Sequence, residues 1–337
     1  MKSLYRPLKI GNAVVKGNIF LAPLAGYTDR AFRSVCTLMG ADLAYTEMVS
    51  CEALIRNSEK TEGLLAKADA EEYYAVQVFS GNAQTAGEAV KKVNKHKPLI
   101  IDLNCGCPVP KIIKSGAGSA LMQNPEKVAE IIRAMKDNTD IPVTVKIRTG
   151  WDANSLNYLE VAEKAVEAGA ALVCMHCRTR SQAYGGTADW SHLKKLKEAL
   201  GDLPVLGSGD MFSAKAVKQV MEESGIDGVM LARGAIGNPF LFREIRHYLQ
   251  TGGLLPPPSP AEKMDIAFQQ LKLSVKYKDE KTAVNEMKKQ MCAYTKGLPG
   301  SSEIRNKMVH SDSFQTYEAI FEEYMKMLQT RRDYIEF

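Results

Sequence analysis

No uninterrupted apolar stretch in this chain approaches the roughly 20 residues that a bilayer-spanning helix requires. The opening segment MKSLYRPLKIGN breaks at Arg6 and Pro7 before the apolar core of an export signal can develop, so a soluble, cytoplasmic protein is expected. Cysteine is sparse and odd in number, seven in 337 residues. Without an export signal these read as reduced thiols, and a cysteine with a special role is then catalytic or metal-bound rather than bridged. Glycine and proline, 25 and 14, fall short of the excess that marks collagen or low-complexity chains, and a composition 45% hydrophobic and 25% charged argues against disorder. Charge of one sign is also scarce: 44 basic against 39 acidic residues leave +5, compatible with an anionic partner without requiring one.

What the chain does contain is a repeat. Short β-rich apolar runs at 19–25, 42–47, 74–80, 99–105, 142–148, 171–178, 204–209 and 227–233 are each followed by a segment with helical periodicity, such as 125–137, opened by Asn124 and Pro125, or 155–168. Eight such units favour a (β/α)₈ TIM barrel over a doubly wound sheet. Residues 4–18 read as a small hairpin closing the bottom of the barrel, with turns at Gly11-Asn12 and Gly17-Asn18. The pattern changes at TGGLLPPPSP, where three consecutive prolines cannot continue a helix. The expected division is a barrel over 1–250, a linker over 251–260 and an α-helical bundle over 261–337, with helices at 261–278, 280–296 and 314–332 and a turn at 297–302. Between 271 and 309 nine Lys or Arg face four acids, which suits either a solvated surface or an anionic partner.

Barrel enzymes carry their chemistry at the C-terminal ends of the strands, where side chains alternate in and out. Gln77, Asn104, Lys146 and His176 can converge there on alternation alone. Lys146, flanked by valine and isoleucine, is costly to bury without an anionic partner, either a ligand or an acid such as Glu47 or Asp102. The seventh and eighth strands end in GSGD (207–210) and ARGAIGNP (232–239), glycine-bearing loops where barrels cradle phosphate, so a phosphorylated cofactor is expected. Asn104-Cys-Gly-Cys-Pro108 is an unusual strand exit. A four-thiolate metal site with Cys174 and Cys177 is opposed by alternation, which turns that pair to opposite faces, and no metal is expected. Cys107, just beyond the strand beside a glycine, suits a general acid or nucleophile, and Cys105 suits packing.

With these residues in view, APLAGYTDRAFR (22–33), LNCGCPVPKI (103–112), VKIRTGW (145–151), HCRTR (176–180), YGGTADW (184–190) and GLPGSSEIR (297–305) resemble the signatures of the tRNA-dihydrouridine synthases, nearest to the bacterial B-type subgroup. The resemblance implies an FMN-containing barrel that, with a C-terminal helical domain, holds tRNA and uses NADPH to saturate the 5,6 double bond of a uridine. It further implies Cys107 as proton donor, Pro23, Leu24 and Ala25 lining the flavin, and Gln77, Asn104, Lys146 and His176 around its rings. The ribityl phosphate would be held by Ser208, Gly209, Asp210, Ala232 and Arg233, and tRNA phosphates by Lys288, Lys289 and Arg305 on a monomeric enzyme. Cys105 stands where methionine is common in that family, Cys177 where glycine is, and Ser208 where asparagine is. Two other readings are a flavin-dependent reductase of a small-molecule pyrimidine, of the dihydroorotate or dihydropyrimidine type, and an RNA-binding module on a catalytically empty barrel.

Overall fold

The structure is a computed structural model that describes residues 3–335, with the side chains described as far as residue 330. Nine parallel strand segments form one sheet in the order β4-β3-β11-β10-β9-β8-β7-β6-β5: β3 (Ile19–Leu21), β4 (Leu43–Ala44), β5 (Val49–Ser50), β6 (Ala75–Phe79), β7 (Ile100–Asn104), β8 (Val143–Arg148), β9 (Val173–His176), β10 (Val205–Ser208) and β11 (Gly228–Leu231). The two edge segments, β4 and β5, are consecutive in the chain. Between them the Tyr45 N–H donates to Leu21 and the Thr46 N–H to Ala75 (2.9 Å), while the Thr46 hydroxyl accepts from the Gln77 N–H (3.2 Å). The second strand expected at 42–47 is therefore interrupted, and a threonine side chain replaces one rung of its ladder. The sheet closes on itself as the expected eight-unit barrel.

Each of the other seven strands falls inside its expected run, and all of these runs but 142–148 overshoot at their C-terminal ends. Residues 23–25 and 232–233 leave the ladder and line the site, while the Cys177 N–H still donates to the Ser208 carbonyl (3.0 Å). The helices between strands start where local chemistry requires. Asn124 accepts from the Lys127 N–H and is followed by Pro125 at the first turn of Pro125–Lys136, satisfying a donor that the helix cannot. Buried apolar side chains between the strands and these helices form the main core, and a second set fills the barrel's interior. The hairpin of β1 (Leu8–Ile10) and β2 (Ala13–Val15) turns at Gly11, whose φ of +58° suits glycine, and its Leu8, Ile10 and Val15 join that interior core from the N-terminal end of the strands.

After Leu241–Thr251 comes an irregular stretch, and Pro260–Tyr277 then begins with a capping box between Ser259 and Glu262. Glu280–Tyr294, Ser301–Val309 and Phe314–Ile335 follow. The third of these four helices falls partly in the expected turn: Gly300, at φ +65°, ends the loop and the chain re-enters a helix at Ser301. These helices share a core built on Met264, Leu271, Met287, Tyr317 and Phe321, separate from the barrel's own. The first and last two residues of the domain division lie outside the described residues.

Candidate active site

The helical region docks beside the barrel mouth. Lys278 Nζ pairs with Asp29 (2.6 Å) and with Glu286, and Lys276 pairs with Asp69 (2.6 Å). Gln290 donates to the Tyr27 carbonyl, and Lys289 lies 4.5 Å from the Tyr27 ring centroid. Next to this seam, at the C-terminal ends of the strands, a cavity of about 430 Å³ opens, within the range of roughly 300–1,000 Å³ usual for small-molecule sites. All thirteen residues expected at the active site and cofactor line it: Pro23, Leu24, Ala25, Gln77, Asn104, Cys107, Lys146, His176, Ser208, Gly209, Asp210, Ala232 and Arg233.

Three groups define its electrostatics. Lys146, half-buried, has no hydrogen-bond or ion-pair partner among the described residues. Of the two acids considered for it, Glu47 accepts from the Gly26 N–H, and Asp102 is taken up by Gln77 and Thr144. His176 is neutral at physiological pH, because burial and the surrounding charges of Lys146, Arg148, Arg178 and Arg233 push its pKa well below the ordinary imidazole value. Cys107 stays a thiol: burial pushes it up, and a hydrogen bond with the Val109 backbone and the Arg148 charge only partly offset this. A protonated thiol is a proton donor rather than a thiolate nucleophile.

Backbone contacts hold the Cys107 loop still. Asn104 Oδ1 accepts from the N–H groups of Gly106 (3.1 Å) and Cys107 (2.9 Å), and the Cys107 carbonyl accepts from the Ser119 N–H and hydroxyl. Arg148 Nε donates to the Gly106 carbonyl at 2.6 Å. Cys105 points into the core between sheet and helices, as packing requires. Cys174 lies inside the barrel and Cys177 in the outer core, on opposite sides of the wall.

On the opposite rim, Gly209 (φ +116°) and Asp210 (φ +54°) are consecutive left-handed residues, a turn that aims backbone N–H groups to one side. A Cβ at Gly209 would meet Ala188 Cβ at 2.9 Å, and one at Gly234 the Met211 carbonyl at 2.7 Å, so both positions need glycine. The Asp210 side chain is not free for an anion. It accepts from Arg178 (2.7 Å), Arg233 (3.0 Å) and the Ala188 N–H (2.8 Å); burial opposes its ionisation, yet the Arg178 hydrogen bond and the other contacts hold the carboxyl below the usual range. Asp210 thus aims Arg233, whose guanidinium lies 5.0 Å from the Tyr184 ring and 5.7 Å from that of Phe212, both half-exposed.

None of the three expected tRNA contacts, Lys288, Lys289 and Arg305, lines the cavity; Lys289 comes to its rim, over the ring of Tyr27, which does. Of the nine basic residues counted at 271–309, Lys276, Lys278 and Lys307 are committed to ion pairs. Lining residues not expected as site residues are Tyr27, Met48, Arg148, Tyr184 and Phe212 among others. Arg148 shares a strand face with Lys146 and was within reach of the alternation argument. Met48 gave no signal, because it lies in the break between β4 and β5.

A closed barrel with its one-sided cavity at the C-terminal ends of the strands is the plan of a barrel enzyme. The sequence matches the family model described as "Dihydrouridine synthase (Dus)" over residues 20–330, and the chain belongs to that family of oxidoreductases. It is 40% identical over 327 residues to a "Probable tRNA-dihydrouridine synthase" of Treponema pallidum (strain Nichols), covering 94% of this chain and 96% of that one. To "tRNA-dihydrouridine synthase B" of Pseudomonas putida it is 36% identical, covering 96% and 97%. Among solved structures it resembles a 2-naphthoyl-CoA reductase complex (TM-score 0.59, 14% identity, 73% of this chain) and histamine dehydrogenase from Rhizobium sp. 4-9 (TM-score 0.56, 13%, 81%), a likeness of fold. This chain spans 52% and 51% of those two chains.

Proposed function

We propose that the protein is a tRNA-dihydrouridine synthase that reduces the C5–C6 double bond of uridines in tRNA, with FMN as its bound flavin and NADPH as the source of electrons. The observation that carries the reading is the meeting, in one cavity, of a lysine without a partner among the described residues, a glycine-built turn and a thiol kept protonated. These residues fit a flavin mononucleotide: the N–H groups at 208–210 and Arg233 suit its phosphate, and Lys146 the electron-rich side of its ring. Bound there, the flavin would supply the hydride that no side chain can donate.

The chain's own residues account for the rest. Cys107 delivers the proton to uracil C5, and Asn104, Arg148 and Ser119 keep its loop in place. Lys146 offsets negative charge, and neutral His176 serves as a hydrogen-bonding group without adding to the positive field. A stacked uridine cannot reach the cavity, so the base must be flipped out of the tRNA. The helical region beside the mouth, with Lys289 at the rim, favours tRNA over a free pyrimidine as the substrate.

The test separates the two half-reactions under anaerobic conditions. Cys107→Ala is expected to accept electrons from NADPH as the parent does and to lose about 10²- to 10⁴-fold in reoxidation by undermodified tRNA. Cys105→Ala should stay near the parent in both. Parent-like reoxidation of Cys107→Ala would remove the thiol from the reaction.

A further inference from the structure

Beneath the cavity lies a carboxyl group that the chemistry above does not use. Asp102, on β7 and wholly buried, does not line the cavity and has no ion pair within 4 Å among the described residues. It begins a chain of hydrogen bonds that ends at the catalytic loop. Asp102 Oδ1 accepts from the Thr144 hydroxyl at 2.6 Å and Oδ2 from Gln77 Nε2 at 2.8 Å. Gln77 Oε1 accepts from Asn104 Nδ2 at 2.7 Å. Asn104 Oδ1 then accepts from the N–H groups of Gly106 and Cys107.

Both ends of this chain have fixed polarity. A carboxylate oxygen facing Gln77 can only accept, and the backbone N–H groups of Gly106 and Cys107 can only donate. Two side-chain amides lie between, and each could in isolation be turned either way. With the ends fixed, one arrangement pairs every donor with an acceptor. Flipping either amide sets donor against donor and acceptor against acceptor among buried side chains, where unpaired polar groups are costly. Burial pushes the Asp102 carboxyl up to about 6, with Thr144, Gln77 and Lys146 pulling the other way. A proton on it would lie toward the Thr144 hydroxyl, which can accept as well as donate, so the acceptor facing Gln77 survives.

We infer that Asp102 is a positioning residue for the reaction: acting through Gln77, it fixes the orientation of the Asn104 amide, and so the placement of the Cys107 thiol. This rests on Cys107 as the proton donor. An apolar residue at 102 would release Gln77 and, with it, the acceptor that holds the Gly106–Cys107 turn. Asparagine would not, because it can accept from Gln77 while its own NH₂ turns to the Thr144 oxygen.

The test uses the flavin-loaded enzyme with Asp102→Leu, Asp102→Asn and Gln77→Met. Alkylation of Cys107 by iodoacetamide is followed across pH on its own peptide, and the two anaerobic half-reactions are timed beside it. Asp102→Leu should change the rate and pH profile of Cys107 alkylation and slow reoxidation by tRNA about 10²-fold, the scale of a small misplacement of a reacting group. Its reduction by NADPH should stay as in the parent, and Asp102→Asn should match the parent throughout. A folded Asp102→Leu enzyme with parent-like alkylation and reoxidation overturns the inference. So does an Asp102→Asn enzyme as impaired as Asp102→Leu, since charge and not an acceptor would then be what matters. Altered alkylation with parent-like reoxidation upholds the relay and instead sinks Cys107 as proton donor. Should Asp102→Leu not fold, Gln77→Met cuts the same chain at its centre, and a parent-like Cys107 there overturns the inference equally.

Discussion

Asp102 and Lys146 show how one barrel interior can hold two ionisable groups with different fates. The carboxyl is dry and hydrogen-bonded by neutral donors, so its folded pKa, about 6, lies above the ordinary 3.8. A raised carboxyl pKa means that the folded state binds the proton more tightly. Its cost to stability is therefore absent below pH 4, grows as pH rises from about 4 to 6, and is complete above that. Asp102→Asn, which never ionises, should be more stable than the parent at pH 7.5 by up to about 3 kcal/mol, with the gap closing toward pH 4. Urea unfolding of the two apoproteins at both pH values checks this, and equal gaps would mean that the carboxyl is not strained. Lys146 has no such network and faces the cavity. Lys146→Ala is expected to be purified with much less flavin, read from its visible absorbance relative to protein; full flavin content would count against lysine as a cofactor contact.

Among the elements, the decisive contact is between the loop after β11 and the helix Glu280–Tyr294. Gly237 has φ +67°, and a Cβ there would lie 2.5 Å from the Ala293 carbonyl carbon and 2.7 Å from the Tyr294 nitrogen. Backbone on backbone leaves no side chain to move aside. Gly237→Ala should add left-handed strain of about 1–2 kcal/mol to a clash relieved only by shifting the helix from the barrel. The expected outcome is earlier proteolytic cleavage within 252–259 and a lower melting temperature. Gly116→Ala is a useful control, since its φ of +72° carries the same conformational strain with nothing within 4 Å of the new Cβ. If both variants behaved alike, the seam would not depend on this close approach.

For the whole molecule, what tRNA would meet is set by where the unpaired positive charge lies rather than by the net charge of +5. Lys276 and Lys278 are neutralised by barrel acids at the seam and Lys307 pairs within the helical region, which leaves six of the nine basic residues at 271–309 without ion pairs among the described residues, Lys288, Lys289 and Arg305 being the three expected to meet tRNA. Neutralising these three should weaken tRNA binding and flatten its salt dependence, each lost phosphate contact reducing the log–log slope by about 0.7–0.9. Lys289 at the rim should have the largest effect on turnover. An unchanged slope in an electrophoretic shift series would return the three residues to an ordinary solvated surface.

The β runs and their spacing determined the barrel, because a strand buried on both faces is apolar over most of its length and eight such runs alternate with amphipathic helices. Alternation also brought Gln77, Asn104, Lys146 and His176 to one mouth, and the glycines after β10 and β11 marked the turn opposite them. These features are local, written in periods of two and 3.6 residues. Met48 entered the lining through a break that only the closing of the ladder between Leu43 and Ser50 creates. The role of Asp210 depended on two arginines, Arg178 and Arg233, brought to it from different strand ends. The relay from Asp102 to Cys107 crosses from β7 to β6 and back, with Thr144 of β8 on the other carboxyl oxygen, and the partner of a buried polar group is chosen by whatever donor the fold sets within 3 Å, which no single stretch of sequence can specify.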